Sequence, residues 1–248
     1  MLYKKVQSEQ RRSDVRTSES TMSKSLVFGV IVSFTLMYSA LAHCVTYGYC
    51  GTEKRSGKRL PCAFTRDPVL TESSVLEDAC PALIESPGKP VPACCDAQQA
   101  AAFKSEFKRL HKLGVRKDSK CFKNFENLVC QAFCSPEQSK FVAVFGSTAE
   151  SEFQPSATDT VYVVEKHFAE EVYHACKDVS TRLFGMRLMS LMCGKYGAKY
   201  CTAQRFLDFV GAVYSEGGYS PLKIRHVLAE TAVVVNGQRL EPFKSRIF

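Results

Sequence analysis

The sequence predicts an α+β protein, a mostly helical, disulfide-rich single domain with a small antiparallel sheet near the C-terminus. Three observations predict it. All 12 cysteines lie beyond His43. Apolar residues recur at helical spacing between about 96 and 213. Near the end, "TAVVVNGQRLEPF" joins a β-branched run to a return segment through Asn236-Gly237, the signature of a type I′ hairpin.

From the N-terminus, Ser25 to Leu41 is an apolar stretch preceded by Lys24 and followed by Ala40-Leu41-Ala42, a small-x-small cleavage site. Residues 1–42 therefore read as a secretory signal, and initiation at Met22 gives that signal ordinary proportions. The competing reading is a signal anchor, although about 17 residues is short of the ~20 a span needs. Cleavage after Ala42 leaves 43–248 as the folded domain. It also lowers the net charge from +8 to about +5, since six Lys/Arg and three Asp/Glu leave with the signal. Charge that mild and scattered argues against nucleic acid as a partner.

From Cys44 to Pro92, glycines, prolines and the cysteines at 44, 50, 62 and 80 read as a stapled coil. Asp96 is an N-cap, and Ala100, Phe103, Phe107, Leu110 and His111 mark a helix over about 96–113. Phe122, Phe125, Val129 and Phe133 mark a second helix, ending near Cys134. Ser135-Pro136-Glu137-Gln138 reads as the capping box of a third. Further helices are expected at Val161–Cys176, Leu183–Met192 and Phe206–Val213.

In an oxidising lumen twelve cysteines read as six bridges, whose connectivity spacing alone leaves open. Adjacent Cys94 and Cys95 are poorly placed to bond to each other, so they point to two partners. Zinc is the rival reading of clustered cysteines. It is disfavoured because there is no Cys-x-x-Cys pair and the five histidines are not spaced as co-ligands, so no metal is expected. No G-x-S-x-G elbow occurs, and pairing leaves no cysteine as nucleophile, so no catalytic residue and no enzyme activity are expected. What remains is a braced helical domain with 17 Phe and no Trp. By themselves those rings are as well explained by a packed core as by a pocket.

Six segments in order break that tie: "CVTYGYCG" from Cys44, "KRLPC" from Lys58, "ACCDAQQ" from Ala93, "CFKNFENLVCQAFCSPEQSKF" from Cys121, "FAEEVYHACKDV" from Phe168 and "LMCGKYGAKYC" from Leu191. Together they closely resemble the N-terminal luminal sterol-binding domain of the Niemann-Pick type C cholesterol transporter family. The resemblance spans Cys44–Cys201 and continues more weakly to Phe243.

The resemblance implies the pairs Cys44–Cys94, Cys50–Cys62, Cys80–Cys130, Cys95–Cys134, Cys121–Cys176 and Cys193–Cys201. It implies binding and handover of cholesterol or a related sterol, with no cofactor. Gln99 would hold the sterol 3β-hydroxyl, a role suited to a carboxamide that both donates and accepts. Phe103, Val129, Phe133, Phe209, Val210, Pro221, Leu222 and Ile224 would line the pocket, and Leu191-Met192 would form the surface for transfer to or from a small soluble luminal sterol carrier. Two positions depart from the family. Pro61 replaces an asparagine that makes the second polar contact, and Thr46 replaces a tryptophan near the mouth, so binding is expected to be weaker or tuned to a different sterol; the alternative is that Thr46 or a water supplies the missing hydrogen bond. On this reading Gln99→Ala lowers sterol affinity and leaves thermal stability nearly unchanged.

The chain ends at Phe248 without the proline-rich linker and membrane helices of a full transporter. It is expected either in the endosome or lysosome lumen, joined to the membrane part of a transporter, or secreted if free-standing. The alternative from another class is a secreted cysteine-rich module that binds a protein partner or another small lipid.

Overall fold

The structure, a computed structural model, describes residues 42–149, 154–182 and 185–248. The proposed signal, apart from Ala42, lies outside the described residues. Helix and sheet are both substantial. Two strands, β1 (Cys44–Thr52) and β2 (Arg59–Arg66), form a hairpin stapled by Cys50–Cys62. The segment read as coil thus contains two long strands and two short ones. Tyr47, Tyr49, Leu60 and Phe64 give it strand character, while the glycines, which suggested loops, sit in an irregular register with bulges.

Short pieces follow: β3 (Val69–Thr71), α1 (Ser73–Glu77) and β4 (Val91–Ala93), the last paired with β3. Two long helices come next, α2 (Ala97–Lys112) and α3 (Lys120–Cys134). Each is capped by its sequence. The Asp96 side chain accepts from the Gln99 N–H at 2.8 Å, and Ser119 Oγ accepts from the Phe122 N–H at 3.2 Å.

After α3 the expected helix does not form. Ser135 Oγ accepts from the Glu137 N–H at 3.2 Å, but only one 3-10 turn follows, Gln138–Lys140. The Gln138 side chain is used elsewhere. Its Oε1 accepts from the N–H groups of Val45 and Thr46 at 2.7 and 3.0 Å, and its Nε2 donates to Thr46 Oγ1 at 3.0 Å. It stitches β1 to the end of α3 rather than closing a capping box.

The chain then enters β5 (Val142–Ala149) and the long β6 (Pro155–Glu165). Val161 and Val164, expected on a helix, belong to β6, where the run Thr160-Val161-Tyr162-Val163-Val164 is buried on both faces. The helix α4 starts only at Lys166 and ends at Cys176, with Glu165 accepting from the Phe168 N–H at 2.7 Å. The run from Leu183 yields just one turn, α5 (Met189–Met192), and residues 183 and 184 lie outside the described residues. The last helix, α6 (Ala203–Val210), is capped by Thr202.

β7 (Lys223–Ala229) returns parallel to β6, from Asp159↔Lys223 to Glu165↔Ala229. The main sheet therefore has order β1-β2-β6-β5, with β7 sharing the β6 edge that β2 touches at Cys62↔Ser156. This corrects the expected sheet: it is five-stranded, mixed, and begins at Cys44. The predicted late hairpin does exist as β8 (Val233–Val235) and β9 (Gln238–Leu240). Asn236 and Gly237 turn it with φ of 49° and 80°, as a type I′ turn requires.

Six disulfides hold these layers, in the pairs Cys44–Cys94, Cys50–Cys62, Cys80–Cys130, Cys95–Cys134, Cys121–Cys176 and Cys193–Cys201. The core between α3, α4, α6 and the sheet contains Phe122, Leu128, Tyr162, Phe168, Phe206 and Met189, all fully buried or nearly so. Among the described residues no helix is long and apolar enough to cross a membrane, and no three His, Cys, Asp or Glu side chains are grouped to hold a metal ion.

Candidate functional site

The start of α2 is fixed from several directions. Cys94 is bonded to Cys44 in β1, Cys95 is bonded to Cys134 at the end of α3, and the Cys94 N–H donates to the Cys134 carbonyl at 2.9 Å. Gln99, three residues after the N-cap, turns its side chain back over this junction. Its Oε1 accepts from the Asp96 N–H at 3.1 Å and from the Gly48 N–H at 2.8 Å. Gly48 has φ of +64°, a left-handed backbone that favours glycine.

Two N–H donors on one oxygen fix the orientation of the amide, because an NH2 group cannot face them. They also use both lone pairs of Oε1. The Gln99 Nε2 has no protein hydrogen-bond partner among the described residues. Gln99 is 1% exposed, and it lines a cavity of about 640 Å³. That volume lies in the usual range for small-molecule sites.

The cavity walls are apolar and drawn from distant parts of the chain. Phe103, Phe107 and Leu110 face it from α2, and Phe125, Leu128, Val129 and Phe133 from α3. The rings of Phe103 and Phe133 meet at 5.3 Å. Leu191 and Met192 come from α5, and Phe209 and Val210 from α6. Pro221, Leu222 and Ile224 complete the wall beside α6. Gly211 allows that closeness: a Cβ there would lie 2.1 Å from the Ile224 carbonyl oxygen, and the Ile224 N–H donates to the Gly211 carbonyl at 2.9 Å.

Each expected lining residue and both transfer-surface residues are thus brought to one cavity, and Thr46 is not. Thr46 is 2% exposed and turned toward Gln138, which occupies its hydroxyl and its N–H. It is therefore not positioned to replace the polar contact absent at Pro61. Pro61 itself lines the cavity, opposite Tyr49 on the neighbouring strand.

Several lining residues were not anticipated. Phe107 and Leu110 belong to the helical stripe that contains Phe103, so that periodicity could have added them. Tyr49 needed the strand alternation of β1. His226 and Tyr162 carried no signal beyond apolar neighbours.

Tyr162 Oη donates to the Leu128 carbonyl at 3.3 Å, and burial pushes its phenol well above the usual range. Burial pushes His226 down to about 4, against a hydrogen bond to the Leu207 carbonyl that raises it. Both groups are thus neutral in a wall that excludes water. Burial also raises the Tyr49 phenol, opposed by Arg59, whose guanidinium lies 4.2 Å above the ring.

Full charges appear only where the cavity meets solvent. Glu106 pairs with Arg109 at 3.1 Å and with Lys58 at 3.7 Å, and Lys58 Nζ also donates to the Tyr219 carbonyl at 2.5 Å. The arrangement offers a single buried amide donor among apolar walls. It is suited to holding an apolar molecule that has one hydrogen-bonding end.

Comparison with known proteins gives this architecture a family. The chain is 27% identical over 195 residues to the pig NPC intracellular cholesterol transporter 1, covering 75% of this chain and 15% of that protein. It is 32% identical over 174 residues to the human NPC1-like intracellular cholesterol transporter 1, covering 70% of this chain and 12% of that protein. A nematode relative, NPC intracellular cholesterol transporter 1 homolog 1 of Caenorhabditis elegans, is 28% identical over 205 residues, 73% of this chain and 14% of that protein. The chain thus spans less than a sixth of the length of these relatives. The sequence model of the Niemann-Pick C1 N terminus matches residues 41–248, and the chain belongs to that family.

Proposed function

We propose that this chain binds cholesterol or a related sterol in a luminal compartment and hands it on within intracellular lipid transport. The observation that carries the reading is the Gln99 amide: its oxygen is held by two main-chain donors, and its nitrogen is an unpaired donor in an apolar cavity. The sterol 3β-hydroxyl accepts from Nε2, and the rings lie against Phe103, Val129, Phe133, Phe209, Val210, Pro221, Leu222 and Ile224. A ligand of about 28 heavy atoms at about 0.3 kcal/mol each reaches about 8 kcal/mol, or around micromolar binding. Pro61 offers no second polar contact, which weakens the grip on the hydroxyl without removing it.

Leu191 and Met192, half-buried beside the cavity, are the proposed surface for transfer with a small soluble luminal carrier. The names of the relatives support a place in intracellular cholesterol transport, and the endosomal or lysosomal lumen is the compartment proposed for it. No catalysis is proposed. The apolar cavity beside Gln99 weighs against the alternative of a module that binds only a protein partner.

The test is competition for labelled cholesterol on the secreted, oxidised protein, using a sterol without the 3-hydroxyl and one with a modified side chain. Saturable binding that the sterol lacking the 3-hydroxyl competes for poorly supports the reading. Absence of saturable binding by monodisperse, fully bridged protein overturns it.

A further inference from the structure

From Val179 to Leu207 the sequence has five cations, Arg182, Arg187, Lys195, Lys199 and Arg205, and not one Asp or Glu. None of the five pairs with a carboxylate among the described residues. Elsewhere the pattern is mixed: Lys104, Lys140, Lys223 and Arg225 each have a carboxylate partner, and Lys54, Lys89, Lys120 and Arg246 have none among the described residues, but there the cations are interspersed with acids. Several of the five lie against tyrosines. Lys195 Nζ is 5.4 Å from the centre of the Tyr196 ring, Lys199 Nζ is 5.1 Å from that of Tyr200, and Arg205 stacks on Tyr196 at 4.1 Å while donating to the Tyr200 carbonyl at 2.5 Å. Tyr196, Tyr200 and Met186 are exposed.

The fold sets this segment beside the cavity. The Arg182 N–H donates to the carbonyl of Leu113, a lining residue. Leu191 and Met192 line the cavity directly, and Gly194 packs so closely on Phe209 that a Cβ would lie 2.9 Å from its ring. The Cys193–Cys201 bridge closes the loop that carries Lys195, Tyr196, Lys199 and Tyr200. Nearby acids are occupied or flanking: Glu106 is paired with Arg109, Asp208 accepts from the Gln204 amide, and Asp178 lies just before the segment.

We infer that this rim docks on an anionic lipid membrane. Tyrosines beside Lys and Arg suit the headgroup layer, where the rings lie between water and hydrocarbon and long basic side chains reach the phosphates. Unpaired cations are drawn by the negative surface potential of such a membrane. Leu191, Met192 and Met186 then meet the lipid where the cavity opens. The inference rests on the rim alone and needs no particular ligand in the cavity.

The test is sedimentation of the protein with vesicles of phosphatidylcholine alone, or with about one part in three phosphatidylserine. The expected result is at least about tenfold more binding to the anionic vesicles, falling as salt is raised. Lys195→Glu/Lys199→Glu should cut that anionic-to-neutral ratio by about tenfold or more, at roughly fivefold for each cation lost. A charge-matched reversal outside the segment, Lys89→Glu/Lys244→Glu, should leave the ratio largely intact, and unchanged circular dichroism and non-reducing migration check folding. Equal binding to both vesicles overturns the inference. So does a ratio that the rim reversal leaves unchanged, or one that both reversals lower equally. If the rim reversal spares vesicle binding but abolishes retention on an immobilised acidic protein, the face belongs to a protein partner instead.

Discussion

The two ends of α2 hold the same cavity by different means. At the first turn, two disulfides to separate elements, a capping box and the Gly48 N–H converge on Gln99. At the last turn, Arg109, His111 and Lys112 complement the helix dipole, and the neighbouring loops bear exposed tyrosines and unpaired cations, closed by one short bridge. A directional hydrogen bond needs a donor whose position does not drift, so the polar end is over-determined. Passage of a bulky apolar molecule needs side chains that can give way, so the rim is built from long, half-exposed ones.

The largest expected effect separates the two ends directly. In the chain-entropy account, Cys95–Cys134 closes 39 residues and contributes about 4 kcal/mol, whereas Cys193–Cys201 closes 8 and contributes about 2.5 kcal/mol. Removing each pair as a double alanine variant should lower the urea midpoint in that order. A rim variant that loses more stability would break the comparison.

Gln99→Ala comes next. Read from the sequence, Gln99 is a ligand contact whose loss leaves stability nearly unchanged; the geometry gives it a second task. The truncation strands the N–H groups of buried Gly48 and half-buried Asp96, and a buried donor left unpaired costs about 1–3 kcal/mol. A loss of about 3 kcal/mol in urea unfolding is expected alongside weaker sterol binding. Leu191→Ala, at the half-exposed rim, should cost under about 1 kcal/mol. Equal losses at the two positions would mean that the first turn is no more rigid than the rim.

Much of this was legible, unevenly. Asp96 followed by Gln99 signals a helix start, and the stripe through Phe103, Phe107 and Leu110 marks its buried face, because both signals are local. The spacing of Val161 and Val164 fits a helix as well as a strand. What decides is that the run is flanked on its edges by β5 and β7 and covered on one face by helices and on the other by the β8–β9 hairpin, and the sequence does not contain that fact. Gln138 shows the same limit: a capping pattern is one use of a glutamine, and the approach of β1 offers a better one. Thr46 follows, since the group that claims its hydroxyl lies 92 residues away. The cavity itself is assembled from β1, β2, β6, β7 and four helices, so no single stretch could announce it.

A smaller effect concerns the framework rather than the rim, because two strongly shifted groups, His226 and Glu126, belong to it. His226 on β7 is held down to about 4, while the unfolded chain takes up a proton below about 6.5. Its contribution to stability is therefore lost as pH falls through that window. Glu126 on α3 is raised to about 7 by burial, against the pull of Lys117 and Lys123. The unfolded carboxyl ionises above about 4.5, so this contribution is lost as pH rises toward 7. The slopes oppose each other between about 4.5 and 6.5, and the protein's urea midpoint should be nearly level there. Glu126→Gln should uncover the histidine slope, a loss of about 2 kcal/mol on going from pH 6.5 to 4.5. His226→Phe should instead leave stability that declines as pH rises. A Glu126→Gln variant as level as the parent would mean that one of these groups is better solvated than its burial implies, and the framework looser than the rim comparison requires.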